Sequence, residues 1–177
     1  MGQLITVGHG TAGRDEFAAL LAGVGVRTVV DVRRFPGSRR HPDMKREAML
    51  DWLPAAGIEY VWSEDLGGRR SLPAGEDPID SWWKVRQFAA YAAHTRTEEF
   101  GKAFADLQRV AATGLTAVLC SESVWWRCHR RIIADVAMLL HDMEVEHLMP
   151  DGRLNTHRPS DGARLTADGT VVWDQHP

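Results

Sequence analysis

The sequence is short of cysteine and of lysine: it holds 2 Cys, and 18 of its 21 basic residues are Arg. Two cysteines in a chain expected to stay in the cytoplasm argue against a disulfide scaffold and keep catalytic, redox or metal roles open. No apolar run approaches the ~18 residues of a membrane span, and residues 1–13 lack the basic start and apolar middle of a signal peptide. A cytoplasmic protein with no membrane partner is expected. Gly8-His9-Gly10 lacks the rest of a Gly-x-Gly-x-x-Gly fingerprint, so there is no nicotinamide or flavin signature. No Cys-x2-Cys or His-Glu-x-x-His spacing occurs, and a metal is not expected. Positive charge is not in excess either: the net charge is −3, which does not mark the whole surface for nucleic acid. With no internal repeat, low-complexity tract or linker, the 177 residues read as one α/β domain.

What is present is strand and helix in alternation. Leu4–Val7, Thr28–Val32, Ile58–Trp62, Leu115–Leu119 and Val145–Leu148 are short apolar or β-branched runs, and each reads as a strand. Between them, Phe17, Leu20, Leu21 and Val24 keep helical spacing. Further helices are predicted over Met44–Leu53, Trp83–Ala93, Glu98–Ala112 and Cys128–Leu140. Such alternation predicts a three-layer fold, a mostly parallel sheet with helices on both faces. Residues 63–78, rich in Gly, Pro and charge, read as a long surface loop. The tail is expected to end in a small hairpin, Leu165–Thr166 against Val171–Trp173, around an Asp168-Gly169 turn.

In an open parallel sheet, ligands bind beyond the carboxyl ends of the strands. Those ends carry His9 and Thr11, then Asp31 and Arg33, then Cys120 and Glu122, with Cys128, His129 and Arg130 at the next helix start. Arg comes in doublets at 33–34, 39–40, 69–70 and 130–131, and its planar fork suits phosphate or carboxylate. Cys120 and Arg127 are separated by six residues, which excludes a Cys-x5-Arg phosphate loop. Cys120, Cys128 and His129 have ligand chemistry without a metal-site spacing. Trp82-Trp83 and Trp125-Trp126 either stack a base or pack the core.

The ordered strings TVGHGT, DVRRFPGSRR, AGIEYVWSEDLGGRR, FAAYA and VLCSESVWWRCHRRIIAD resemble the successive motifs of the domain-of-unknown-function-488 family. The resemblance spans about residues 4–148 and leaves 149–177 as an extension. It implies the fold and the rim residues, since the family carries no settled activity. Gly10 stands where that family commonly has Ser, and Trp125-Trp126 replaces a more polar stretch.

Three functions follow as expectations. The first is an enzyme hydrolysing or transferring a group on a small anionic, nucleotide- or nucleobase-like ligand. His9, Asp31 and Glu122 would move protons there, and Thr11, Arg33, Arg39, Arg40, His129 and Arg130 would hold the ligand. The second is thiol redox or persulfide chemistry at Cys120 and Cys128. Of that pair, Cys128 is expected to carry the lower pKa, from a helix N-terminus and flanking arginines. The third is a non-enzymatic module that binds a ligand or nucleic acid through the Arg rim.

Overall fold

The computed structural model describes residues 2–177. The strands are β1 (Gln3–Gly8), β2 (Thr28–Asp31), β3 (Glu59–Trp62), β4 (Thr116–Cys120), β5 (Glu144–Leu148), β6 (Leu154–Thr156), β7 (Ala163–Leu165) and β8 (Val171–Trp173). The helices are α1 (Arg14–Gly23), α2 (Arg46–Ala55), α3 (Arg86–His94), α4 (Glu98–Ala111) and α5 (Arg130–His141). Six strands form one sheet in the order β3-β2-β4-β1-β5-β6. Its first five are parallel, β6 pairs antiparallel with β5, and β7 and β8 form a separate antiparallel hairpin.

Alternation along each strand divides the interior in two. Ile5, Val7, Val29, Ala117 and Leu119 pack under α1 and α2 through Phe17, Leu21, Met49 and Leu53. Leu4, Val30, Val118, Cys120 and Val145 point the other way, against α3, α4, α5 and the hairpin. Both faces are covered, as the alternation of elements predicts.

The connections place the site. From β1 the chain crosses to β2 through α1, while from neighbouring β4 it crosses to β5 through α5, in the opposite direction along the sheet. The crevice between the ends of β1 and β4 is therefore a topological switch point. Gly8 and Cys120 are register partners at that edge. A Cβ at position 8 would collide with the Glu122 carbonyl, so the two loops close together only over a glycine.

Several boundaries differ from expectation. α3 begins at Arg86 because Trp82 and Trp83 are held by the C-terminal hairpin: Trp82 N donates to the Trp173 carbonyl at 3.0 Å. Asp80, fully buried, takes a bidentate pair from Arg96 and accepts from Trp173 N. α5 begins at Arg130, because Cys128 is extended (φ −130°, ψ 151°) after a short 3-10 turn over Trp125–Arg127. Exposed, polar β6 carries no apolar signal and falls outside the sequence reading. The surface loop is anchored at its start, where Tyr91 Oη donates to the Leu66 carbonyl at 2.6 Å. Among the described residues no helix is long and apolar enough to cross a membrane.

Candidate active site

A cavity of about 780 Å³ opens over the switch point. The β1 loop supplies His9, Gly10 and Thr11; the β2 loop supplies Arg33, Arg34, Arg39, Arg40 and His41. Cys120, Glu122, Arg127, Cys128 and His129 form the wall after β4, and Arg69 and Tyr91 close the far side. Six arginines thus face a space with one carboxylate, a setting that favours an anion. Gly10 sits at φ +50°, a conformation in which a side chain is strained, which accounts for glycine there.

The two cysteines are the floor. Both are buried and unbridged, and their sulfurs are 2.6 Å apart. Burial drives Cys128 up, but the Cys120 thiol, His129 and Arg130 outweigh it and hold Cys128 well below the ordinary thiol range. Burial and the contact with Cys128 push Cys120 well above it. Of the two sulfurs, Cys128 is thus the one that gives up its proton more readily.

His129 Nε2 lies 2.8 Å from the Val32 carbonyl, and a ring nitrogen facing a carbonyl must donate. That fixes a proton on Nε2 and places Nδ1 3.5 Å from Cys128 Sγ. One residue of the expected ligand shell lies behind the wall. Arg130 is 1% exposed and donates from Nε to Cys120 Sγ at 3.1 Å, from Nη2 to the Glu122 carbonyl and from Nη1 to Thr6 Oγ1. Its guanidinium supports the sulfur and does not line the cavity.

Asp31, fully buried, is also withdrawn from proton transfer. Both its oxygens take Arg33 (2.8 and 2.6 Å), the Arg33 backbone N–H adds a third bond, and Tyr60 Oη donates at 2.5 Å. Its work is to fix Arg33, which does face the cavity. The Glu122 side chain is exposed and accepts from Val124 N, so it shapes the turn. The helix-start reading of Cys128 shifts by two residues. Cys128 precedes His129, the N-cap of α5, and its sulfur still meets the helix N-terminus, accepting from Arg130 N at 3.5 Å.

His9 fits its expected role more closely. Its Nδ1 donates to the Gly10 carbonyl at 3.0 Å, and its Nε2 is buried without a partner. Burial and the Arg33 charge lower it to about 4, so at neutral pH Nε2 is an open acceptor on the cavity wall. Thr11, Arg39 and Arg40 are exposed at the rim. Arg34 is half-buried there with an unpartnered Nε. Phe35, 60% exposed, lies beneath the guanidinium groups of Arg34 and Arg69. Sequence reasoning did not single out Phe35, Tyr60 and Tyr91, although each lies within one of the family-like strings.

Among the described residues no group of three or more His, Cys, Asp or Glu is placed to hold a metal ion. No curated protein and no solved structure matches the chain. A family model described as "Domain of unknown function DUF488" matches residues 14–137, more than two thirds of the 177. The match takes in the β2 loop, both cysteines and most of α5. The chain belongs to the DUF488 family.

Proposed function

We propose that the protein is a thiol–disulfide exchange enzyme acting on a small anionic substrate. The supporting observation is Cys128 Sγ, in contact with Cys120 Sγ at 2.6 Å, on the wall of an arginine-rimmed cavity. A thiolate that accepts from a second thiol is suited to exchange with a disulfide. Cys128 sulfur attacks one sulfur of an anionic disulfide, forming a mixed disulfide and releasing the first thiolate. Cys120 sulfur then attacks Cys128 Sγ, its proton leaves with the second thiol, and a Cys120–Cys128 disulfide remains. One substrate disulfide is reduced and one protein dithiol is oxidised; an external dithiol returns the pair to its starting state.

The test uses two disulfide probes, dianionic 5,5′-dithiobis(2-nitrobenzoate) and uncharged 4,4′-dithiodipyridine. Each rate is divided by that of a free thiol such as N-acetylcysteine. The anionic probe is expected to react roughly tenfold or more faster on this scale, with the advantage falling as salt screens the rim. Equal normalised rates for the two probes would remove the anionic-substrate reading.

A second reading is favoured by one observation, the open Nε2 of His9. In that reading His9 takes a proton from water or a substrate hydroxyl during hydrolysis or transfer, and the cysteines support the wall. Screening small phosphate and carboxylate esters separates the two. Turnover that survives Cys128→Ser and is lost in His9→Gln supports the second reading alone.

A further inference from the structure

Behind the cysteine pair runs a buried chain of hydrogen bonds. Arg130 Nη1 donates to Thr6 Oγ1 at 3.3 Å, and Thr6 Oγ1 is 2.6 Å from His147 Nδ1. His147 Nε2 is 2.8 Å from His157 Nδ1, and His157 Nε2 is 2.7 Å from Asp135 Oδ1. Each of the five residues is at most 1% exposed. Trp125 lies flat on His147, with centroids 4.0 Å apart and planes 3° from parallel. At the far end Asp135 also accepts from Ser160 N at 3.0 Å and from Trp173 Nε1 at 2.8 Å.

The protons in this chain can be assigned from its ends. A guanidinium only donates and a carboxylate only accepts. Thr6 oxygen therefore accepts from Arg130, and its hydrogen goes to His147 Nδ1. His147 Nε2–H then donates to His157 Nδ1, and His157 Nε2–H to Asp135. With both rings neutral, every polar atom along the line is satisfied by this arrangement, with all donors pointing from cation to anion. Burial, with His157 and Arg130 nearby, lowers His147 to about 2, so that ring is neutral as the assignment requires.

We propose that Thr6, His147, His157 and Asp135 are positioning residues, which hold the Arg130 guanidinium against the Cys120 sulfur and thereby set the charge of the cysteine pair. The proposal rests on the thiol reading of the site. Arg130 meets the pair from α5, together with His129; Tyr91 faces it from α3, and Glu122 through its backbone carbonyl alone. If the hydroxyl of Thr6 is lost, Nη1 has no acceptor, and the guanidinium keeps only the Glu122 carbonyl on Nη2 to hold its Nε against sulfur. Thr6, His147 and His157 fall outside residues 14–137, so the segments flanking the family match would tune the centre within it.

The test is a thiolate titration of the reduced full-length protein by absorbance near 240 nm. Wild type is expected to show one thiolate forming below the ordinary thiol range. Thr6→Val, nearly isosteric, is expected to raise the pair's proton affinity about tenfold, one unit on the pH axis. Thr6→Ser restores the hydroxyl and is expected to return the midpoint to within about threefold of wild type in proton affinity, a rescue that a packing effect would not give. An unchanged midpoint in folded Thr6→Val would overturn the positioning role.

If Thr6→Val does not fold, Trp173→Phe removes a donor at the other end and is expected to shift the midpoint in the same direction, by less. Nitrogen-15 shifts of wild-type His147 give a check without any variant. A single Nε2–H tautomer between pH 5 and 8 is expected, and an Nδ1–H tautomer would overturn the chain as drawn. Absence of any low-pH thiolate in wild type would instead reject the thiol reading itself.

Discussion

The guanidinium of Arg130 stands 3.1 Å from the sulfur of Cys120, and among the described residues no carboxylate meets it. A buried cation without an anion in contact is costly, by several kcal/mol even after relaxation. Negative charge on the cysteine pair offsets that cost, and proton loss from Cys128 supplies it. Two buried sulfurs in contact with each other thus differ sharply in how they hold a proton.

That difference decides which cysteine reacts. At pH 6 an ordinary thiol is ionised to about 0.3%, whereas one held below its usual range carries a larger share of thiolate. Iodoacetamide is expected to modify Cys128 first, roughly tenfold to a hundredfold faster than an unperturbed thiol once the lower nucleophilicity of a weak base is included. Peptide mapping after brief exposure checks this. Modification of Cys120 first would reverse the assignment of thiol and thiolate.

Arg33 is held by Asp31, and Asp31 in turn by Tyr60. Tyr60→Phe removes the hydroxyl that completes the carboxylate's shell. A stability loss of about 1–2 kcal/mol is expected, the usual cost of leaving a buried acceptor short of a partner. Urea denaturation at pH 7 measures it. An unchanged midpoint would mean that Arg33 alone satisfies Asp31.

Acid should weaken the fold through two histidines. His9 is lowered to about 4 and His147 to about 2, both by burial first. Between pH 6.5 and 4 the unfolded chain binds protons at these positions and the folded chain does not, so stability falls as pH falls. The slope is up to about 1.4 kcal/mol per pH unit for each ring, an upper bound because partial exposure reduces it. Urea midpoints at pH 7.5, 6 and 5 are expected to drop in order. A flat series would show that neither ring is held neutral.

Sequence and structure agree where local pattern decides the outcome. Runs such as Thr28–Asp31 and Thr116–Cys120 are strands because β-branched and apolar residues fit a sheet buried on both faces, and loops at their ends meet at the switch point. The cysteine pair was legible for the same reason, a strand end followed by the next helix start. Asp31, at a strand end, and Arg130, at the next helix start, were read as facing the rim, whereas both turn into the interior and act through Arg33 and Cys120. The chain from Thr6 to Asp135 joins residues up to 151 positions apart in sequence, so no local pattern reveals it. One signal was available. Asp135 sits in the apolar stripe of α5 beside Ile132, Ile133 and Val136, where a carboxylate needs a buried partner.

The central claim is that Cys128 attacks and Cys120 resolves, and intact-mass spectrometry tests it on two proteins treated with one equivalent of 5,5′-dithiobis(2-nitrobenzoate). Wild type is expected to release two equivalents of thionitrobenzoate and to lose about 2 Da, the mass of two hydrogens, leaving an internal disulfide. Cys120→Ser is expected to release one equivalent and to keep a thionitrobenzoate adduct on Cys128. An adduct persisting on wild type, or Cys128→Ser trapping the probe on Cys120 as fast as Cys120→Ser traps it on Cys128, would contradict the account.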